Sequence, residues 1–188
     1  MGEKIEYKGY TIEIEQDQDA ESPREWSNAA VLVLSHRRYD LPHEADINND
    51  AVHSIEEFIT HVVDKHDARF FFPVWGYDHS QLVFKAGERT YPFNDPWDSG
   101  FAGLAFITNA TIAEHFPTGF EPSDQYPTLD AWAKAVVDGE IETYNQWATG
   151  DVWIFTIYNA QGDVVDSCGG LFGFDYALEE AKAAVDFE

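Results

Sequence analysis

Basic side chains are what this 188-residue chain has least of: eleven Lys and Arg stand against thirty-five Asp and Glu, a formal charge of −24. A surface so negative repels phosphate backbones and anionic lipid, which argues against direct binding of nucleic acid or of a membrane. Cysteine is scarcer still. Cys168 is alone, which excludes an internal disulfide and a cysteine-built zinc site and fits a reducing compartment. No apolar run reaches the ~20 residues that a membrane helix needs. The opening MGEKIEYKGY has no signal-peptide apolar segment, so the expected location is the cytoplasm. Repeats and low-complexity tracts are absent too. What the chain does have is 44% hydrophobic and 15% aromatic residues, too many large apolar side chains for a disordered acidic tail. Its length suits a single domain, 1–188, with a weak internal boundary near 117–127 where PTGFEPSDQYP packs three prolines into eleven residues.

The pattern predicts an α+β fold: a mixed, mainly antiparallel sheet with three to four helices packed on it. Alternation from Lys4 to Glu15 around Lys8-Gly9 reads as two short strands or one bent one. Ala29 to Leu34 is apolar throughout and reads as a central strand covered on both faces. Ser54 and Glu57 form a capping box that opens a helix ending near Asp67, with Phe58, Ile59, Val62 and Val63 on its apolar stripe. Arg69 to Trp75 is a strand that Pro73 pushes to an edge or ends. Short strands follow at 81–84 and 90–93, then a buried one at 101–107, then a helix at 111–115 with Thr111 and Glu114 at capping-box spacing. The stripe Leu129, Trp132, Ala133, Val136, Val137, Ile141, Tyr144 and Trp147 predicts the longest helix, with Gly150 as its stop. Strands at 152–158 and 164–167 make a hairpin, the glycines of 169–173 break the second strand, and Asp175 caps a last helix.

Several constellations point to chemistry. Asp46, Asn48, Asp50, Ser54 and Glu57 repeat the ligand spacing of a calcium loop, although Ala51 sits where that loop turns on glycine. A solvated acidic loop running into a capped helix explains the same residues without metal, so no cofactor is called for and calcium is the one ion the spacing suggests. Asp17, Asp19 and Glu21 are a poorer version of the pattern. Asp78-His79-Ser80 holds the residue types of a hydrolase triad, but neighbours on an extended chain face opposite ways, so the three read as a turn. His61 and His66 lie five apart, which turns them away from each other on a helix. Trp97 stands between Asp95 and Asp98, an aromatic platform beside carboxylates that suits a sugar or an Asx turn. Cys168 before two glycines reads as structural rather than nucleophilic. Arg24, Arg37 and Arg38 all fall between Ser22 and Tyr39, where scarce guanidinium groups can anchor acidic loops.

The ordered segments SPREWSN, HRRYDL, YDHS, PWDSG, ETYNQWATGDVW and VVDSCGG resemble those of a family of uncharacterised small acidic proteins from bacteriophages, prophages and mobile elements. The resemblance runs from about Tyr7 to Gly173 and carries no catalytic residue with it. Where the family has PREWDN this chain has Ser27, so a carboxylate role at that position does not transfer. The resemblance implies a mobile-element protein, and the charge then suggests one that binds and antagonises a basic host protein of defence, such as a nuclease or another nucleic-acid-binding protein, by DNA mimicry. Its partner-binding carboxylates would be Asp17, Asp19, Glu21, Glu44, Asp46, Asp50, Glu121, Asp124, Asp138, Glu140 and Glu142. Two alternatives use the same sequence differently. One is a small hydrolase or ligand- or metal-binding protein with a site built from Arg24, His36, Arg37, Arg38, Asp78, His79 and Asp98. The other is an acidic protein adapted to high salt.

Overall fold

The computed structural model describes residues 2–36, 38–47, 55–87 and 97–187. In chain order its elements are β1 (Glu3–Tyr7), β2 (Tyr10–Gln16), a 3-10 turn (Pro23–Glu25), β3 (Val31–Leu34), α1 (Ile55–His66), β4 (Ala68–His79), β5 (Gln81–Ala86), β6 (Ser99–Thr108), α2 (Asn109–His115), α3 (Leu129–Thr149), β7 (Val152–Tyr158), β8 (Val164–Phe172) and α4 (Phe174–Phe187). The class is α+β. The strands are shared between two four-stranded sheets, ordered β1-β2-β7-β8 and β3-β6-β4-β5, and all their pairings are antiparallel. The chain divides into two compact units, Met1–Glu25 with Thr143–Glu188, and Trp26–Glu142. Residues 117–127 lie inside the second. No helix among the described residues is long and apolar enough to cross a membrane.

In the first unit, Lys8 (φ 50) and Gly9 (φ 87) both adopt the left-handed backbone that a two-residue hairpin requires. Period-two alternation then sends Ile12 and Ile14 inward, where they are fully buried. α4 lays Ala177, Ala181 and Val185 on them and on Phe155 and Ile157, and Phe174 meets Trp153 edge-on at 5.0 Å. Asp175 lies inside the first turn of α4 rather than capping it. The glycines at 169 and 170 do not break β8, which runs on to Phe172. They let it pass close to Asp17, whose Oδ2 accepts from Gly170 N at 2.8 Å. A Cβ at residue 169 would stand 2.8 Å from that same oxygen.

The second unit builds its core from α1 and the inner strands: Phe58 and Val62 pack against Val33, Leu104 and Phe106. Ala45 and Ile47, in a stretch that reads as solvated loop, join this core, held by His43 Nε2 against Ile47 O at 2.8 Å. β3 is an edge strand, not a central one. Its outer side is covered by backbone instead: Leu34 N donates to Pro42 O (2.8 Å) and Glu44 N to Leu32 O (3.0 Å). Continuous apolarity records burial of both faces, and it does not distinguish a neighbouring strand from a loop that takes the place of one. β4 is central and runs through Pro73. Pro73 O accepts from Gly87 N at 3.0 Å, and in an antiparallel strand a residue's N and O point the same way. The missing N–H therefore faces β5 where its ladder ends at Val74↔Ala86, and no β6 hydrogen bond is lost. The cap of α2 is Thr108, whose Oγ1 accepts from Thr111 N, three residues before the capping-box reading placed it. α3 ends at Gly150 (φ 74) as its stripe predicts, while Ser54 and residues 90–93 lie outside the described residues.

Gly103, on β6, carries the tightest constraint. Its φ is 149°, and a Cβ there would sit 2.0 Å from Val33 O. Gly103→Ala must push β3 off β6 or distort the β6 backbone, so urea denaturation should show a loss of about 2–4 kcal/mol, or no folded protein at all. At the surface, Lys8 Nζ bonds Asp186 Oδ1 at 2.7 Å. Donation of this hydrogen bond from Lys8 to Asp186 holds the Asp186 pKa below its ordinary value and raises the Lys8 pKa. The pair therefore supports the fold above the ordinary carboxylate pKa and is lost as pH falls through the depressed Asp186 value, or rises through the raised Lys8 value. In Lys8→Met, amides at the end of α4 should exchange faster than in the parent at neutral pH, and the difference should vanish in acid.

Candidate functional site

The site lies in the second unit, where β4 ends and β6 begins. β4 and β5 turn on the single residue Ser80, at φ 63, with His79 opposite Gln81. Only Ser80 is the turn; Asp78 and His79 are the last residues of a strand. Pairing of Tyr77 with Ser99 brings Asp98 alongside, and Asp78 N donates to Asp98 O at 2.6 Å. The two side chains then go different ways, as alternation requires. His79 Nδ1 meets Asp98 Oδ2 at 2.8 Å. Asp78 Oδ2 takes Arg38 Nη2 and His36 Nε2, the latter at 3.3 Å.

The two imidazoles are set in opposite tautomers. Arg38 N donates to His36 Nδ1 at 3.3 Å, so that nitrogen is an acceptor and the proton sits on Nε2, directed at Asp78. Both nitrogens of His36 are engaged, which makes it a positioning group. At His79 the carboxylate claims Nδ1, so the neutral ring would carry its proton there and its lone pair on Nε2, the arrangement of a general base. Asp78 and His36 are largely covered, their side chains 17% and 18% exposed, whereas His79 is at the surface. Asp78 raises the Arg38 pKa by hydrogen bond and charge.

Of these groups His36, Arg38, Asp78 and Asp98, with Ser35 and Trp97, line a cavity of about 580 Å³ that has Gly76 and Gly100 among its other walls; His79 is joined to it through Asp98. The Trp97 indole is 92% exposed. Of the residues the sequence marks out, the structure brings together His36, Arg38, Asp78, His79 and Asp98. Arg24 belongs to the first unit, where its N donates to Ser22 Oγ, and Arg37 lies outside the described residues. Ser35 and the paired glycines escape sequence reasoning, because nothing local distinguishes them; only the register Gly76↔Gly100 shows a wall without side chains.

The other candidates fare differently. Asp46 and Glu57 are exposed, while Asn48, Asp50, Ala51, Ser54 and Asp95 lie outside the described residues. Among the described residues no group of three or more His, Cys, Asp or Glu side chains could hold a metal ion. The rings of His61 and His66 are 6.4 Å apart and tilted. Of the partner-binding carboxylates, Asp19, Glu21, Glu121, Asp124 and Glu142 are exposed, and Asp138 pairs with Lys134. Three have internal tasks: Glu140 Oε1 accepts from Ala29 N (2.8 Å) and Ala30 N (3.1 Å), Glu44 Oε2 from Leu32 N (2.8 Å), and Asp17 from Gly170 N. No family model matches the chain, and neither the curated proteins nor the solved structures contain a match.

Nitrogen-resolved imidazole spectra in mildly alkaline buffer test the site directly. His36 should carry its proton on Nε2 and His79 on Nδ1, and Asp98→Asn should disturb the tautomer of His79 alone. A single shared tautomer would overturn the arrangement.

Proposed function

We propose that the second unit is a small-molecule site, of ligand-binding or hydrolase type, centred on this cavity. Convergence carries the reading: stretches around residues 36, 78 and 98 meet at one opening and bring an oriented imidazole, a guanidinium, two carboxylates and an exposed indole. An ion-pair network needs no open space beside it, and the volume falls within the roughly 300–1,000 Å³ of small-ligand pockets. Support also comes from the resemblance to mobile-element proteins, since HRRYDL, YDHS and PWDSG all contribute to this one place. In the hydrolytic form, His79, outside the cavity lining and joined to it by Asp98, takes a proton at Nε2 from water or from a substrate hydroxyl at the cavity rim, and Asp98 stabilises the imidazolium that results. A screen of ester, phosphoester and glycoside substrates should reveal turnover that His79→Ala lowers by about 10²-fold or more. Turnover indifferent to that change would remove the hydrolytic form, and a cavity that takes up no compound in a fragment soak would remove the site.

A second reading has the charge in its favour. An acidic protein that antagonises a basic nucleic-acid-binding host protein by DNA mimicry needs carboxylates facing solvent, and Glu121, Asp124 and Glu142 do so. The two units share the charge evenly: sixteen carboxylates and four basic residues in the first, nineteen and seven in the second, twelve net negative charges each. Such spreading equally suits life in high salt, and the salt response separates the two. Mimicry predicts retention of a basic nuclease that weakens steeply as salt screens it. Salt adaptation predicts a fold that loosens in dilute buffer and tightens toward molar salt.

A further inference from the structure

Resting on the cavity being a ligand site, we infer that its ligand carries a flat aromatic or heteroaromatic ring that lies on the bare backbone at Gly100. Glycine inside a strand weakens it, and its place there is explained by a backbone turn, by crowding, or by another group that comes close. Three glycines of β4 and β6 separate these cases. Gly103 has φ 149, and a Cβ there would collide with Val33 O at 2.0 Å. Gly76 is buried, and its Cβ would lie against the Phe84 ring at 3.4 Å and Ala102 at 3.5 Å. Gly100 has neither reason. It does not take a positive φ, it is exposed, and among the described residues a Cβ there meets nothing within 4 Å. The space beside it is the cavity, which it lines together with Gly76, its partner across the two strands.

The form of this floor selects the ligand. No side chain rises from either glycine, so the peptide planes of two adjacent strands are uncovered, about 4.8 Å apart. A planar ring can touch such a strip with all its atoms at once. A puckered ring or a branched chain holds some of its atoms away, and a gap of about 0.5–1 Å already forfeits roughly a quarter to a half of each contact. Shape rather than charge does the selecting, so uncharged probes test it.

The two probes, used on the full chain, carry the same polar group: benzamide, which is flat, and cyclohexanecarboxamide, which is puckered. In NMR titration benzamide should shift the Gly100 amide and bind roughly threefold more tightly than its counterpart. Gly100→Val should weaken benzamide about tenfold. Gly100→Ala should weaken it less and raise the urea midpoint, because alanine suits extended backbone and the added methyl displaces nothing. Gly139→Ala, on an exposed position of α3, should raise the midpoint too and leave benzamide binding as it is. A lowered midpoint in Gly100→Ala means that the chain itself fills the slot, and it overturns the inference. Benzamide that fails to bind, that binds no better than the puckered probe, or that ignores Gly100→Val overturns it as well. The fragment soak then decides the site separately: compounds found in the cavity leave the ligand site standing with a ligand of another shape, and an empty cavity removes both.

Discussion

Carboxylates that hold backbone amides are the interaction on which this structure turns. With so few cations, most Asp and Glu cannot be neutralised by a salt bridge, and several bind N–H groups at the ends of strands instead. Glu140 reaches across more than a hundred positions to take the two amides that lead into β3. Glu44 takes an amide inside that strand, and Asp17 holds an amide of β8. A charged acceptor makes a stronger hydrogen bond than a neutral one, and an amide left bare beside a core is costly. Acidity is thus part of the architecture as well as of the surface, and a carboxylate counted as solvent-facing in the sequence can be committed elsewhere.

The same economy shapes the cavity. Two His–Asp pairs stand within a few residues of each other, yet they do different things because of one backbone amide. Arg38 N fills the second nitrogen of His36 and turns that ring into a brace for Asp78. His79 has its Nδ1 fixed by Asp98 instead. The sheet supplies the alternation that sends Asp78 and His79 to opposite sides, and the close pairing of Gly76 with Gly100 leaves room between them and the indole.

Much of this was legible before any coordinates. The β1–β2 hairpin follows from alternation about Lys8-Gly9, and α3 from an apolar stripe that ends at a glycine. Those signals are local, and local physics decides them. His36, Arg38, Asp78, His79 and Asp98 stand out as the chain's scarce cations and histidines beside its Asp-bearing turns. What local reading misses is partnership at a distance. Val31–Leu34 looks central because both faces are buried, and the residues that close its outer side come from a loop. Pro73 looks like an edge signal, but a strand can be central if the proline nitrogen falls where its neighbour's ladder stops. Arg24 shares a short sequence window with His36 and still belongs to another unit. The glycines at 169 and 170 look like breakers and serve instead to admit Asp17, the residue that follows β2.

The cover over β3 also bears on how this protein behaves when many copies are crowded together. An open strand margin is a template on which another chain can polymerise. Here the backbone groups of Leu32 and Leu34 are already occupied by Pro42 and Glu44. Growth of fibrils from that margin would first have to peel away residues 42–44 and expose the apolar Ala45 and Ile47 behind them.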